Sequence, residues 1–388
     1  MPAQARRRIA ARQPEPWAAL WGRIVPDHQM DLPVDLPVDV PMDVPADVPV
    51  SLLGANPRTR PDAPVVVLVI PIFNDWASVM ALLQAIDQRP ELGDTSFHVI
   101  LVNDGSPLPE RWHLGQVGRG CIGRVELLDL VANVGHQRAI AIGLVVATRV
   151  ADVTGVVVMD GDGEDRPQDI AVLLHQAAAS PGHIICARRS ERSESRLFRT
   201  FYGVYKLAFR CLTGRTIDFG NFCFIPGRLL NAVNHNPATW NHLAASILRS
   251  RIPVAGVDAP RGRRLAGESK MNFTTLILHG MSAISVYADL VMVRIVLAMI
   301  WIAGLTVLAM VSVVVLRLTT SIGIPGWASN MLGSLAVMLL ESLLFATIAV
   351  FMLLNARSTR PVIPAFDVLQ MVAAHSVVWS AEAPADTR

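Results

Sequence analysis

Two aspartates two positions apart, Asp160 and Asp162, directly follow an apolar run in the segment Val156 to Asp169, VVVMDGDGEDRPQD. Such a run of valine and methionine is typical of a buried parallel strand, and open α/β sheets bind ligands at the carboxyl ends of their strands. Carboxylate oxygens suit Mg²⁺ or Mn²⁺, which complete their shells with water and phosphate oxygens. The segment therefore predicts a divalent-metal and diphosphate site, with an acidic surface turn as the alternative.

Two earlier apolar runs also end in acid-bearing turns. Residues 65–73 lead to Asp75, and residues 97–106 contain Asp104 in the sequence NDGS. Helical patterns separate these runs, and alternation of strand and helix predicts a parallel sheet with right-handed crossovers. The helical segments are residues 76–88 and 139–150. The acidic groups are therefore expected to meet at one edge of the sheet.

Six short motifs occur in one order between residues 71 and 270. They are P-x-x-N-D (Pro71 to Asp75), N-D-G-S (Asn103 to Ser106), N-x-G-x-x-x-A-x-x-x-G (Asn133 to Gly143), D-x-D (Asp160 to Asp162), D-x-G-x-F (Asp218 to Phe222) and R-x-x-G-x-S-K (Arg264 to Lys270). This order resembles the family 2 glycosyltransferases, and most closely the branch with dolichyl-phosphate mannose synthase and bacterial polyprenyl-phosphate glucosyltransferases. The resemblance covers roughly residues 64–275 and implies the α/β GT-A fold, a Rossmann-like, mostly parallel sheet.

The resemblance implies a set of donor-binding residues for a nucleotide-sugar. The set is Pro71, Asn74, Asp75, Asp104, Asp160, Arg264 and Lys270. Within it, Asp75 and Asp104 would hold the base and ribose, because carboxylates accept N–H and hydroxyl groups. Arg264 and Lys270 would clamp the donor diphosphate, since guanidinium and ammonium groups both bind phosphate.

The same resemblance implies the metal ligands. Asp160 and Asp162 would contact Mg²⁺ or Mn²⁺ at the donor diphosphate, and Glu164 stands where relatives often carry Gln. A carboxylate at that position adds charge near the ion, so Glu164 is a candidate third ligand.

The catalytic and acceptor residues also follow from the resemblance. Asp218, together with Asp162, is the candidate catalytic group, and Arg188 and Arg199 fall near positions that grip the acceptor phosphate. The implied reaction is a single inverting displacement by an oxygen of a polyprenyl (undecaprenyl) phosphate. A phosphate monoester is already anionic near neutral pH, so positioning and charge screening matter more than a strong base.

Structural readings stand beside these roles. The NDGS segment is a good turn on its own, and Arg188 and Arg199 belong to an arginine-rich stretch that is equally a solvated face. His136 is interpreted as a polar loop residue. The four cysteines lack CxxC spacing and are interpreted as reduced core residues of a cytosol-facing domain.

The C-terminal third contains two apolar segments. Residues 295–316 carry no charge over a length sufficient to cross a bilayer, and a second segment, residues 328–354, is interrupted by Glu341. Arginines flank the outer ends of the pair more than the connecting loop, which predicts a hairpin with both protein termini in the cytoplasm. Location in the inner (cytoplasmic) membrane, with the catalytic domain facing the cytoplasm, follows. Glu341 is costly at mid-span, and a role in helix packing or in a homo-oligomer is one interpretation.

These observations predict six regions. They are a disordered N-terminal tail (1–63), a GT-A domain (64–272), an interfacial helix (273–290), transmembrane helices at 291–318 and 328–355, and a cytoplasmic C-terminal tail (356–388). The N-terminal tail contains five D-x-P-x units, whose prolines favour an extended linker. Residues 273–290 are interpreted either as an interfacial helix or as a connecting helix packed on the catalytic domain.

Composition limits the remaining classes of function. The chain is 52% hydrophobic and 17% charged, which suits a catalytic domain with two membrane spans, and its net charge of +2 argues against a nucleic-acid binder. The Q-x-x-R-W segment of processive polysaccharide synthases does not occur. Two alternatives stay open: transfer to another lipid hydroxyl, which would make Asp218 a general base, and a non-catalytic membrane scaffold. The sequence does not specify the sugar or the nucleotide.

Overall fold

The computed structural model describes residues 64–92, 94–107, 120–188, 196–266, 273–320 and 324–380. The predicted N-terminal tail and Lys270 lie outside the described residues, as does the side chain of Arg199.

Within these described residues, one mixed sheet of eight strands forms the centre of the domain. The strands are β1 (Val65–Ile72), β2 (Ser96–Asn103), β3 (Ile122–Leu130), β4 (Val153–Val158), β5 (Ile184–Arg188), β6 (Phe219–Pro226), β7 (Val254–Asp258) and β8 (Val372–Ser380). Their spatial order is β7-β5-β6-β4-β1-β2-β3-β8. Strands β4, β1, β2 and β3 are neighbours in that order and run parallel to one another, as the sequence predicts. Strand β6 is antiparallel to both of its neighbours, β4 and β5, and β8 is antiparallel to β3.

Helices cover both faces of the sheet. In the described residues the helices of the chain are α1 (Trp76–Asp87), α2 (His136–Ala147), α3 (Pro167–Ala179), α4 (Arg196–Thr213), α5 (Gly227–Asn234), α6 (Leu243–Arg249), α7 (Phe273–Ser285), α8 (Ala288–Thr319), α9 (Trp327–Ser358) and α10 (Pro364–Asp367). On one face α1 and α3 form an apolar cluster with the sheet, and on the other face α2, α5 and α6 form a second. A third, smaller cluster joins α4, α6, α7 and the start of α8. Because both faces of β1 and β2 are covered, these strands read as continuous apolar runs rather than alternating ones.

The segment after the second apolar helix differs from its sequence-based interpretation. Residues 356–388 were expected to form a tail, but β8 pairs with β3 as the last strand of the sheet. The side chains of β8 are mostly exposed or half-buried, so the segment lacks the hydrophobic pattern that identifies the core strands. An exposed edge strand of this kind is held largely by backbone pairing, which composition does not reveal.

Helices α8 and α9 form an antiparallel hairpin of two 32-residue helices. Their mean hydropathies are 2.6 and 2.4, and both are long and apolar enough to cross a membrane. Each helix is about 48 Å long at 1.5 Å per residue, which exceeds the hydrocarbon thickness of a bilayer. Glu341 lies on an exposed side of α9.

Candidate active site

The carboxyl ends of β1, β2 and β4 place three acid-bearing segments side by side. Strand β1 pairs in parallel with both β2 and β4. The backbone N–H of Met159 still donates to the carbonyl of Val69 (3.2 Å), so the DGDGED loop leaves the sheet directly beside the end of β1. This is the sheet edge at which α/β proteins bind ligands.

Arg264 joins two of these segments. Its Nη1 lies 3.3 Å from Oδ2 of Asp75, and its Nη2 donates to Oδ2 of Asp162 at 3.1 Å. The three side chains are between 15% and 21% exposed, so the charges are only partly screened by water. The structure therefore brings together Asp75 and Arg264, which the resemblance assigns to donor binding, and Asp162, which it assigns to the metal. A guanidinium held between two carboxylates is also positioned to meet an incoming diphosphate.

The segment after β7 is fixed over the DGDGED loop by backbone hydrogen bonds. The N–H of Leu265 donates to the carbonyl of Asp162 (3.0 Å), and that of Gly262 donates to the carbonyl of Glu164 (2.8 Å). Gly163 has φ +83°, and a Cβ there would lie 2.4 Å from Cγ of Leu265. Glycine is therefore required at this position of the loop.

Glu164 does not join the two aspartates. Its carboxylate accepts from Nε of Arg261 at 2.8 Å and forms an ion pair with the same guanidinium. Among the described residues, no group of three or more His, Cys, Asp or Glu side chains is arranged to hold a metal ion. The expected three-carboxylate ligand set is therefore not found, because Arg261 takes up the third carboxylate.

Asp160 and Asp162 nevertheless suit a cation. Burial raises the pKa of Asp162, and the nearby charges of Asp160 and Glu164 raise it further, against the N–H of Glu164 and the guanidinium of Arg264. A carboxylate whose charged form is disfavoured by a neighbouring carboxylate is stabilised by a divalent ion between them. The pair fits Mg²⁺ or Mn²⁺ if water and a phosphate complete the shell.

Asp104 has a structural role in addition to its predicted position at the sheet edge. It is 3% exposed, and its two oxygens accept the N–H groups of Val134 (2.7 Å) and Gly135 (3.0 Å) at the start of α2. Burial raises the pKa of Asp104 more than these hydrogen bonds lower it. The preceding Asn103 closes the NDGS turn by accepting from the N–H of Ser106 (3.0 Å). Both residues therefore shape the loop, as the structural reading of NDGS predicts.

His136 is a site residue that the sequence interpretation missed. Its Nε2 lies 3.2 Å from Oδ1 of Asp160 and 3.2 Å from Nδ2 of Asn221. Burial lowers the pKa of His136, but the carboxylates of Asp160, Asp165 and Asp104 outweigh it and raise the pKa overall. The available signal was position: His136 begins the helix that follows β3, so it starts at the same sheet edge as the aspartates.

Arg188, which is predicted to bind the acceptor, lies beside Asp218, the predicted catalytic group. Nε of Arg188, at the end of β5, lies 3.3 Å from Oδ2 of Asp218, just before β6. Both side chains are half exposed, so the pair is open to solvent. Gly256 makes room for this arrangement, because a Cβ there would lie 2.3 Å from Nε of Arg188.

The mixed, mostly parallel sheet with helices on both faces is a fold of the GT-A class. Residues 67–229 match the model of Glycosyl transferase family 2. The protein is therefore a glycosyltransferase with a C-terminal hairpin of two apolar helices.

Comparisons with individual proteins agree with this placement. The chain is 24% identical over 275 residues to an uncharacterized glycosyltransferase, YkcC, of Bacillus subtilis (strain 168), covering 68% of this chain and 80% of that one. It is 26% identical over 217 residues to the undecaprenyl-phosphate 4-deoxy-4-formamido-L-arabinose transferase of Proteus mirabilis (strain HI4320), covering 54% of this chain and 64% of that protein.

Solved structures include similar chains at lower identity. One is glucosyl-3-phosphoglycerate synthase from Mycobacterium tuberculosis, in complex with Mn²⁺, UDP-glucose and phosphoglyceric acid, with a TM-score of 0.43, 13% identity and coverage of 59% of this chain and 80% of that one. Another is mannosyl-3-phosphoglycerate synthase from Rubrobacter xylanophilus, with a TM-score of 0.41, 16% identity and coverage of 58% and 72%.

Proposed function

We propose that this glycosyltransferase moves a sugar from a UDP- or GDP-sugar to a polyprenyl phosphate, with inversion at the anomeric carbon. The observation that carries the proposal is that one domain holds two arginines able to bind a phosphate. Arg264 lies between Asp75 and Asp162, and Arg188 lies beside Asp218. That domain is joined to a hairpin of membrane-spanning length, which suits a lipid acceptor. The name of the Proteus mirabilis relative supports a polyprenyl phosphate as that acceptor.

The donor would lie across the ends of β1 and β4. In this proposal Asp75 binds the nucleoside, and Arg264 leaves its position between two carboxylates to contact the diphosphate. Negative charge builds on the departing nucleoside diphosphate as the sugar–phosphate bond breaks, so a guanidinium at that point lowers the barrier. Asp104 would act indirectly, because its oxygens already hold the start of α2.

Asp160 and Asp162 would hold Mg²⁺ or Mn²⁺ against the diphosphate. When bound, the ion supplies Lewis-acid stabilisation of the leaving group. The hydrogen-bonding contact of His136 with Asp160 would fix the orientation of that carboxylate, since a second partner commonly orients a metal ligand.

The acceptor would enter at Arg188 and Asp218. An incoming phosphate competes with Asp218 for the guanidinium of Arg188, and sharing it places a nucleophilic oxygen near the carboxylate. Asp218 then orients the acceptor or stabilises positive charge at the anomeric carbon. A strong base is not needed, because the phosphate monoester is already deprotonated near neutral pH.

We further propose that the catalytic domain lies on the cytoplasmic side of the inner membrane. Strand β8 follows the second helix of the hairpin and pairs with β3 of the domain that precedes the first, so both outer ends of the hairpin lie on one side. Arg294, Arg357 and Arg360 lie near those ends, whereas the opposite end of the hairpin has Arg317 alone, in the last turn of α8. The positive-inside bias then assigns the shared side to the cytoplasm.

The test uses membranes containing the full-length protein, undecaprenyl phosphate and a panel of labelled UDP- and GDP-sugars, with Mg²⁺ or with EDTA. Label in the organic phase from one donor, lost with EDTA, is the expected result. Asp218→Asn is the matched site variant and Asp152→Asn, an exposed aspartate before β4, is the control.

The outcomes separate the alternatives. Transfer that requires undecaprenyl phosphate supports the proposal. Transfer in its absence, to an endogenous lipid hydroxyl, would refute the acceptor assignment and make Asp218 a general base. A protein that binds no nucleotide-sugar, with or without metal, would refute the donor assignment and favour a scaffold.

A further inference from the structure

A cavity lined by charged residues lies away from the predicted donor site, where the first apolar helix of the hairpin meets the domain. Its volume is about 180 Å³. It is formed by the end of α4, the end of α6 and the start of α8. The lining residues are Thr213, Arg215, Arg249, Tyr287, Asp289 and Leu290. None of them is assigned to the donor, the metal or the acceptor.

A tight turn after α4 positions one arginine of the cavity. The hydroxyl of Thr213 donates to the carbonyl of Phe209 (2.7 Å) and accepts the N–H of Arg215 (3.2 Å). Gly214 has φ +72°, and a Cβ there would lie 2.8 Å from Nη2 of Arg294. The turn therefore requires glycine, and it fixes the backbone of Arg215 at the cavity rim.

The cavity holds more positive than negative charge. Nη2 of Arg249 lies 2.8 Å from Oδ2 of Asp289, and this guanidinium also lies 5.8 Å from the centre of the Tyr287 ring. The guanidinium of Arg215 has no hydrogen bond or ion pair among the residues that the structure describes. The site therefore has two cations and one anion before any ligand is bound.

The cavity also contains an unused hydrogen-bond acceptor. Oδ1 of Asp289 is enclosed and, within the described part of the chain, has no hydrogen-bond partner. An enclosed acceptor left without a donor costs free energy, which a ligand with an N–H or O–H group would recover. The cavity thus pairs a free guanidinium with a free carboxylate oxygen.

The position of the cavity indicates the source of its ligand. Asp289 and Leu290 are the second and third residues of α8, the first helix of membrane-spanning length. About one turn further along α8, Nη1 of Arg294 donates to the carbonyl of Cys211 (2.8 Å) at the end of α4. With α8 crossing a bilayer as proposed above, a cavity at this level would open among the lipid headgroups.

We propose that this cavity binds the headgroup of a membrane phospholipid. The phosphate would contact Arg215 and Arg249, and an ammonium or hydroxyl group on the same headgroup would donate to Oδ1 of Asp289. The inference rests on the proposed membrane location, but it does not depend on the sugar or on the acceptor. Phosphatidylethanolamine matches both features, whereas phosphatidylcholine has the phosphate but no N–H donor.

Binding is tested on the intact protein in detergent by native mass spectrometry, titrating phosphatidylethanolamine or phosphatidylcholine. The wild type should retain phosphatidylethanolamine more strongly. Arg215→Gln should weaken retention of both lipids by roughly ten-fold or more, because a hydrogen bond to a charged group is lost. Asp289→Ala should remove the preference between them while leaving phosphate binding in place. Arg210→Gln, an exposed arginine of α4 outside the cavity, is the control.

Several results would overturn the inference. Equal losses for Arg215→Gln and Arg210→Gln would mean non-specific attraction to positive charge. Displacement of the lipid by millimolar inorganic phosphate would mean a simple anion site, and displacement by undecaprenyl phosphate alone would mean an acceptor site. The melting temperature of each variant shows whether it is folded. If Arg215→Gln is misfolded, the lipid preference of Asp289→Ala still tests the inference. Transferase activity is measured on the same samples, so loss of sugar transfer with lipid selectivity intact would count against the proposed function only.

Discussion

Replacing Glu126 by Gln is expected to destabilise the catalytic domain strongly. Glu126 lies on β3 and is 1% exposed. Its carboxylate accepts from Nε of Arg124 (2.7 Å) and lies 2.8 Å from Nε2 of His375 on β8 and 3.2 Å from Nε2 of His98 on β2. One buried charge therefore links three adjacent strands, including the strand that returns from the hairpin.

The expected loss of stability follows from the two shortest contacts of Glu126, which are with Arg124 and His375. A hydrogen bond to a charged group contributes about 1.5–3 kcal/mol, and a buried cation left without its partner costs about 3–5 kcal/mol. Since Gln keeps the shape and part of the bonding, we expect a loss of about 3 kcal/mol in the free energy of unfolding. For a domain of this size that corresponds to a fall of about 6–12 °C in melting temperature.

The pH dependence gives a further check on Glu126. Burial raises the pKa of its carboxyl, but the hydrogen bonds from His375, His98 and Arg124 outweigh burial and hold the pKa well below its usual range. A carboxyl whose folded pKa is depressed contributes stability above its unfolded pKa, about 4.3, and loses it as the pH falls toward the folded pKa. The difference between wild type and Glu126→Gln should therefore shrink as the pH falls below about 4.3 toward the folded pKa.

The assay is thermal unfolding of the purified protein in detergent, followed by circular dichroism. Glu91→Gln is the matched control, because Glu91 is 40% exposed and its contact with Arg89 is 3.4 Å. An exposed pair of this kind contributes less than about 1 kcal/mol. A Glu126→Gln melting temperature equal to that of the control would refute the reasoning.

Three other changes test the site and the core. Asp162→Asn should abolish metal-dependent transfer while leaving the protein folded and membrane-bound, and full activity at normal Mg²⁺ would remove this residue from the metal site. Arg264→Ala should lower kcat/KM about 100-fold or more, because charge on the leaving diphosphate loses its guanidinium; an unchanged value in steady-state kinetics would contradict the clamp. Exposed Cys211 should react with maleimide at pH 7, whereas buried Cys121 and Cys186 should not. Burial and the charge of Asp87 raise the pKa of Cys121 to about 12. The contact with Cys223 and burial raise the pKa of Cys186. Peptide mapping by mass spectrometry gives the result, and labelling of Cys186 in the folded protein would count against its burial.

The centre of the fold could be predicted from sequence because its signals are local. The apolar runs of β1, β2 and β4 and the acidic turns after them determine both strand type and sheet edge. The insertion of antiparallel β6 between β4 and β5 could not be predicted in the same way. Pairing partners depend on long-range packing, and a strand buried on both faces looks alike in either orientation.

The site was predictable to a similar extent. Motif order identified Asp75, Asp162 and Arg264, which the structure brings into contact. It did not identify the ion pair of Glu164 with Arg261, because nothing in their spacing shows that the segment after β7 folds over the DGDGED loop. Whether a charged side chain binds a ligand or pairs with another side chain depends on the folded arrangement, which the spacing of residues in the sequence does not show.

The pairing of β8 with β3 has a consequence for biosynthesis. During translation β3 emerges early, but its partner is made only after both apolar helices, and His375 meets Glu126 across 249 positions of sequence. A nascent chain therefore carries an open strand edge until the hairpin is complete, and such edges favour aggregation. If the hairpin inserted with its ends on opposite sides of the bilayer, β8 would never reach β3. If the hairpin crosses a membrane as proposed, closure of the sheet makes insertion with both ends on one side a condition for finishing the catalytic domain.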